Sequence, residues 1–272
     1  MVNRIYLRSR ILKPIKSWKN KYLKYLTNQD AKKSDLFNKT VMEISEYLKE
    51  PQEVVREKYE KCGPDSEAQF DVFKDQDNLR DLDVKEFYKR CSYYIYELPL
   101  WNAQHNRPKY LYLMSKSFIT RNNYKKVLDF GAGTGDLCIE LAKNNLDVTY
   151  CDIGEQLYNF ANWRFKKKNL PVKMVEGIEN LDKQIFDCIF SFDAFEHIKD
   201  LQGVIKVLVN HIRPGGGLIF SGAFTGGTLH LEENNKYDNF KEMDKLLSNC
   251  GLIFQDKFAQ YYFYAKGRQA SQ

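Results

Sequence analysis

A chain of 272 residues is long enough for one large domain, or for one domain with a smaller helical piece attached. With 43% hydrophobic and 29% charged residues it has a globular composition, and no run of about 18 apolar residues is present to span a bilayer. The basic N-terminus lacks an uninterrupted apolar core and a small-residue cleavage site, which argues against a secretory signal; the expected location is the cytoplasm. The net charge of +6 is unevenly spread: residues 1–33 carry ten Lys or Arg against Asp30 alone, an excess of +9, and the remainder is −3.

Residues 1–33 read as a basic amphipathic arm. Ile11, Ile15, Trp18, Tyr22 and Leu26 recur at helical spacing with lysines on the other faces, and Pro14 falls in the first turn, where its missing N–H costs little. Residues 34–122 read as a helical N-terminal region. Segments 41–48 and 53–61 are amphipathic and parted by Pro51, Gly63-Pro64 marks a turn, and an acidic stretch follows over 71–83. An aromatic run over 87–112 then contains Tyr88, Tyr93, Tyr94, Tyr96, Trp101, His105, Tyr110 and Tyr112.

From Lys126 the texture changes. Short β-type runs (127–130, 148–151, 172–175, 186–190, 218–221) alternate with helical patterns (136–144, 155–168, 201–212), as in a parallel sheet wrapped by helices. A last helix over 237–249 ends at Gly251. Strands over 252–258 and 261–265 then stand two residues apart, which calls for an antiparallel hairpin. The expected fold is α/β: a Rossmann-like, mostly parallel sheet with helices on both faces and a C-terminal antiparallel hairpin, preceded by the helical N-terminal region. The α/β domain spans residues 123–268. None of the six cysteines pairs with another at CxxC spacing, so reduced, mostly buried thiols are expected, and no metal-ligand cluster is seen.

The most informative segment is Asp129-Phe130-Gly131-Ala132-Gly133-Thr134-Gly135-Asp136, where a strand runs through three alternating glycines into a helix. Such a turn lets backbone approach a nucleotide closely. A dinucleotide fingerprint would put its third glycine at position 136, where Asp136 stands instead, and an acid in the first helical turn repels a pyrophosphate. S-adenosylmethionine carries a sulfonium and an ammonium and no phosphate, so Asp129 and Asp136 favour it.

On these residues the stretch 126–266 resembles class I S-adenosylmethionine-dependent methyltransferases of the small-molecule branch. The resemblance implies S-adenosyl-L-methionine as cofactor, held by Asp129, Gly131, Gly133 and Gly135. It implies that Asp152, closing Val148-Thr149-Tyr150-Cys151-Asp152, binds both ribose hydroxyls, with Ile153 flanking the adenine. Asp193-Ala194-Phe195-Glu196-His197-Ile198 is similar to the Asp-x-x-Glu-His segment of that branch, which adds Asp193 to the cofactor set. His211-Ile212-Arg213-Pro214-Gly215-Gly216-Gly217 resembles the turn into strand five. One departure stands out: the family's Gly-Asp after strand three is Gly177-Ile178 here, so either Glu179 or backbone groups meet the adenine.

The acceptor side is less determined. Glu196 and His197 either hold substrate or cap the following helix and bond the loop. His230, in the glycine-rich loop 223–235, is either the base that takes the acceptor's proton or a loop support. The aromatic run is either core or the roof of a substrate pocket, with Tyr94, Trp101 and His105 as its candidates and residues 34–122 as a lid. The expected function is methylation of oxygen or nitrogen on a small-molecule, lipid or carrier-linked acceptor. A protein or RNA methyltransferase and a non-catalytic cofactor-binding protein are the alternatives. Against nucleic acid, the Asn/Asp-Pro-Pro-aromatic motif is missing after strand four. The basic arm is a solvated helix or docks on an anionic membrane surface or an acidic protein partner, and nucleic acid is disfavoured for it as well.

Overall fold

The computed structural model describes residues 30–62, 84–226 and 230–267. The expected basic helix over 11–26, the Gly63-Pro64 turn, the acidic stretch over 71–83 and residues 227–229 lie outside the described residues.

Seven strands are formed: β1 (Lys126–Phe130), β2 (Asp147–Asp152), β3 (Lys173–Glu176), β4 (Phe186–Phe192), β5 (Ile212–Ser221), β6 (Leu252–Phe258) and β7 (Tyr261–Lys266). They make one sheet in the order β3-β2-β1-β4-β5-β7-β6. The first five run parallel, and β7 lies antiparallel between β5 and β6. Nine α-helices accompany them among the described residues. Five precede the sheet: α1 (Asp30–Leu48), α2 (Gln52–Glu60), α3 (Val84–Arg90), α4 (Tyr94–His105) and α5 (Arg107–Arg121). The other four are α6 (Asp136–Lys143), α7 (Glu155–Lys167), α8 (Leu201–Asn210) and α9 (Phe240–Asn249).

Strand alternation divides the core. Leu128, Ile189, Leu218 and Phe220 pack with Ile205 and Leu208 of α8 and with Met243 and Leu247 of α9. On the other face Val127, Val148, Cys188, Phe190 and Ile219 meet Leu111 and Ile119 of α5, Cys138 and Leu141 of α6, and Phe165 of α7. A third cluster joins the N-terminal helices to α7: Val41, Ile44, Val55, Phe87, Ile95 and Leu100 enclose Leu157 and Phe160. The helical region is thus bonded to the sheet's own layer through α7, and α5 covers the sheet directly.

Three expected bounds move. The first helix starts at Asp30, well before residue 41. β5 starts at Ile212, because Phe186 pairs with Ile212 before a register shift brings Cys188 opposite Gly217; the Pro214-Gly215-Gly216 turn is therefore a bulge inside the strand. The last helix starts at Phe240, where the Asn239 side chain accepts the Lys241 N–H at 2.9 Å, and residues Glu232–Asp238 form a 3-10 turn instead. No helix among the described residues is long and apolar enough to cross a membrane.

Candidate active site

The parallel strands β1, β2 and β4 end together at one edge of the sheet, the place where open α/β sheets receive ligands. Out of β1 come Gly131, Gly133 and Gly135, all left-handed at φ of +71°, +52° and +73°, a conformation that strains any other residue. A Cβ on Gly131 would lie 2.5 Å from that of Ala194 after β4, and one on Gly135 would lie 2.5 Å from Cζ of Phe165. From the end of β2, Asp152 closes the turn. Its Oδ2 accepts the Gly133 N–H at 2.6 Å and its Oδ1 the Ile153 N–H at 2.7 Å. Burial pushes the Asp152 carboxyl up, opposed by these backbone donors. The Tyr150 hydroxyl donates to the Gly133 carbonyl at 2.8 Å, so the turn is held from both sides.

Asp129 is buried beneath the turn and accepts a hydrogen bond from the Cys138 thiol at 3.2 Å. Burial raises its pKa to about 7, the Cys138 bond and Arg107 opposing and the charges of Asp152 and Asp136 assisting. Ile153 is half-buried beside Asp152. Glu179, on the 3-10 turn Ile178–Asn180 after β3, is exposed and folds its carboxylate back onto Gly177.

One expectation changes here. Asp136 does not present a bare charge: Arg164 pairs with it at 2.8 Å, and it accepts the Thr134 hydroxyl at 2.6 Å. The preference for a cation therefore rests on Asp129. Asp193 takes φ +53°, pairs with Arg107 of α5 and accepts the Ser221 hydroxyl at 2.8 Å.

The expectation of no metal-ligand cluster also gives way. Glu196, His197 and His230 each bring a ligand atom within 4.8 Å of the others. The sequence separation between His197 and His230 hid this. The loop is returned by the Leu231 N–H donating to the Glu196 carbonyl at 3.1 Å, and by the Asn234 amide donating to the Ile198 carbonyl at 2.8 Å. Oε1 of Glu196 accepts the Ala223 N–H at 3.1 Å, while Glu196 Oε2 and His230 Nδ1 are buried with no hydrogen-bond partner in the described structure. Burial lifts the Glu196 pKa to about 7. Asp200, not Glu196 or His197, caps α8, accepting the Gly203 N–H at 2.9 Å.

The aromatic run divides. Tyr94 is buried, stacked on Tyr88 with ring centroids 5.1 Å apart, and so sits in the core of the helical region. Tyr88, which the sequence did not single out, lies edge-on to His197 at 5.2 Å. Trp101 stays 41% exposed, packs on His105 and carries the Arg107 guanidinium over its ring at 5.3 Å. Arg107, Asn234 and Tyr88 carried no local motif.

Residues 128–218, a third of the chain, match a methyltransferase-domain family. This match and the shared fold support the class I S-adenosylmethionine-dependent methyltransferase superfamily for the α/β part of the chain. A ubiquinone biosynthesis O-methyltransferase of Coxiella burnetii is 39% identical over 100 residues, which cover 36% of this chain and 43% of that protein. An uncharacterized methyltransferase of Schizosaccharomyces pombe is 30% identical over 151 residues, 47% of this chain and 53% of the relative. The chain thus spans about half the length, or less, of these curated relatives. The magnesium protoporphyrin IX methyltransferase of Synechocystis PCC 6803 superposes with a TM-score of 0.50 at 16% identity, covering 70% of this chain and 100% of that one, which shows the shared fold. The methyltransferase domain accounts for the glycine turn and the strand order. Helices α1–α5 precede the matched residues.

Proposed function

We propose that this protein transfers a methyl group from S-adenosylmethionine to an oxygen of a small-molecule acceptor, with a divalent cation held by Glu196, His197 and His230 beside it. The observation that carries the cofactor is the closed turn: three left-handed glycines with Asp152 bonded to Gly133 at 2.6 Å, in a segment matching the methyltransferase family. The residues present fit this donor. Asp129 sets a buried carboxylate toward its cationic end, and Asp152 has a second lone pair on each oxygen for the ribose hydroxyls. Gly131, Gly133 and Gly135 line the approach, with Ile153 and Glu179 on the adenine side.

When bound, S-adenosylmethionine supplies a sulfonium methyl whose C–S bond breaks as the bond to the acceptor oxygen forms, leaving a thioether. The chain's share is to hold acceptor and methyl close and in line. The oxygen acceptor is taken from the relative's name, and the absence of a Pro-Pro motif after β4 supports a small molecule over nucleic acid. Buried, unpartnered Glu196 Oε2 and His230 Nδ1 are the observation that favours the cation. One carboxylate and two imidazoles are a common divalent donor set, and a cation there would ease loss of the acceptor's hydroxyl proton. In this reading His230 is a ligand, not the base. Trp101, His105 and Arg107 form the acceptor-side rim, with the helical region as roof, and the basic arm docks the enzyme on an anionic surface.

Calorimetric titration with S-adenosylhomocysteine tests the donor. Binding is expected, weakened by about 1.5–3 kcal/mol in Asp152→Ala, and an unchanged affinity removes Asp152 from the ribose. Labelled methyl transfer into catechol-type phenols and a small-molecule extract is expected to stop on chelation and return with added divalent ion, and to be lost in His230→Ala. Activity that resists chelation yet disappears in His230→Ala returns His230 to the role of base.

A further inference from the structure

Arg164 on α7 is deeply buried, and its three nitrogens reach three separate parts of the chain. Nε donates to Glu43 of α1 at 3.0 Å. Nη1 donates at 2.8 Å to the carbonyl of Thr134, inside the glycine turn. Nη2 pairs with Asp136, the first residue of α6, at 2.8 Å. Asp136 also receives the Asn102 amide from α4 at 3.3 Å, and Glu43 is paired a second time with Lys168. Burial pushes Glu43 up, but Arg164 and Lys168 overcome it and hold the carboxyl below its ordinary range. Two cations and two carboxylates thus compensate one another where an isolated charge could not stay ionised.

The chemistry of the fork matters. A guanidinium can serve a carboxylate, a carbonyl and a second carboxylate at once in fixed directions, whereas an ammonium keeps the charge without that geometry. Thr134 stands between Gly133, whose N–H bonds Asp152, and Gly135. The conformation of the turn is therefore tied, through one side chain, to the seating of α1 on α7. A glycine-rich segment released from that hold must be ordered by its ligand, and the ordering cost appears as lost affinity.

We propose that Arg164 and Glu43 are positioning residues for the glycine turn, so that the docking of helix α1 sets cofactor affinity in a domain whose family match begins only at residue 128. The proposal rests on the cofactor reading above. A built-in control exists: Lys167 pairs with Glu46 between the same two helices, and its contacts found among the described residues, with Glu46 and Trp163, lie outside the turn.

The experiment is calorimetric titration of the full chain with S-adenosylhomocysteine, with a thermal melt and amide exchange of each variant. Arg164→Lys is expected to weaken binding roughly tenfold and Glu43→Gln about threefold, with faster exchange over residues 131–135. Lys167→Ala is expected to lower the melting temperature and leave affinity within about twofold. Should Arg164→Lys fail to fold, Glu43→Gln, which keeps the side chain's shape, carries the test. Unchanged affinity in a folded Glu43→Gln, or an equal loss in Lys167→Ala, overturns the relay. A wild-type chain that binds no S-adenosylhomocysteine overturns the cofactor reading and this proposal with it.

Discussion

Asp129 and Asp152 end neighbouring strands, and burial pushes both carboxyls up, yet their surroundings differ. Asp152 accepts backbone N–H groups that favour its charge, while the one side-chain hydrogen bond found for Asp129 comes from the Cys138 thiol. With its pKa raised to about 7, Asp129 is partly protonated near neutrality. A bound ammonium favours the carboxylate, so binding lowers that pKa and expels a proton in the pH range between the lowered value and about 7. Affinity for S-adenosylhomocysteine is therefore expected to rise by up to about tenfold per pH unit below 7 and to level off above it. Calorimetry in buffers of different ionisation heat, from pH 5.5 to 8.5, reads both affinity and proton release. A flat profile across pH 7, with no proton release, would detach Asp129 from the ligand. Residues of this kind were legible because the glycine turn packs its information into eight consecutive positions. Arg107, Tyr88 and Asn234 were not, since each acts on a partner 36 or more residues away and nothing in the local pattern announces it.

At the scale of elements, the sequence located every strand: β1, β2, β4 and β5 carry buried apolar runs, and the closing pair β6 and β7 was legible from its short separation. It missed the bounds wherever a tertiary contact overrides local preference: a proline-glycine bulge kept inside β5 by pairing with β4, and a helix started by the Asn239 cap. The same reasoning separates two left-handed glycines. Alanine at Gly251 (φ +84°), with nothing within 4 Å of its Cβ, meets only the backbone penalty of about 1–2 kcal/mol. Alanine at Gly135 adds a collision with Phe165, a buried ring packed against Tyr150, for a total of about 2–4 kcal/mol. Urea unfolding of the two variants measures the difference. Equal destabilisation would mean that the Phe165 ring yields freely and that α7 does not brace the turn.

At the scale of the whole molecule, charge and chemistry are segregated along the chain. Every residue assigned to cofactor or cation lies at or beyond Asp129, and the described support from the N-terminal side begins with α1 at Asp30. Eight of the ten Lys and Arg of the basic arm lie within residues 1–26, so their deletion spares Glu43 and Glu46 while removing most of the local +9. The truncated chain is expected to bind S-adenosylhomocysteine as the full chain does. Near an anionic membrane each lysine or arginine contributes about 1 kcal/mol, so even half of the eight engaged would give measurable adsorption. That attraction is electrostatic, and it must fall as salt shortens the screening length, whereas a ligand enclosed by the glycine turn hardly responds. Co-sedimentation with anionic and neutral vesicles at low and high salt is expected to show full-length binding to anionic vesicles at low salt alone, and none after the deletion. Equal, negligible sedimentation with both lipids removes the membrane role. Lost cofactor affinity in the truncated chain would mean instead that the apolar stripe of Trp18 and Tyr22 packs on the body and belongs to its fold.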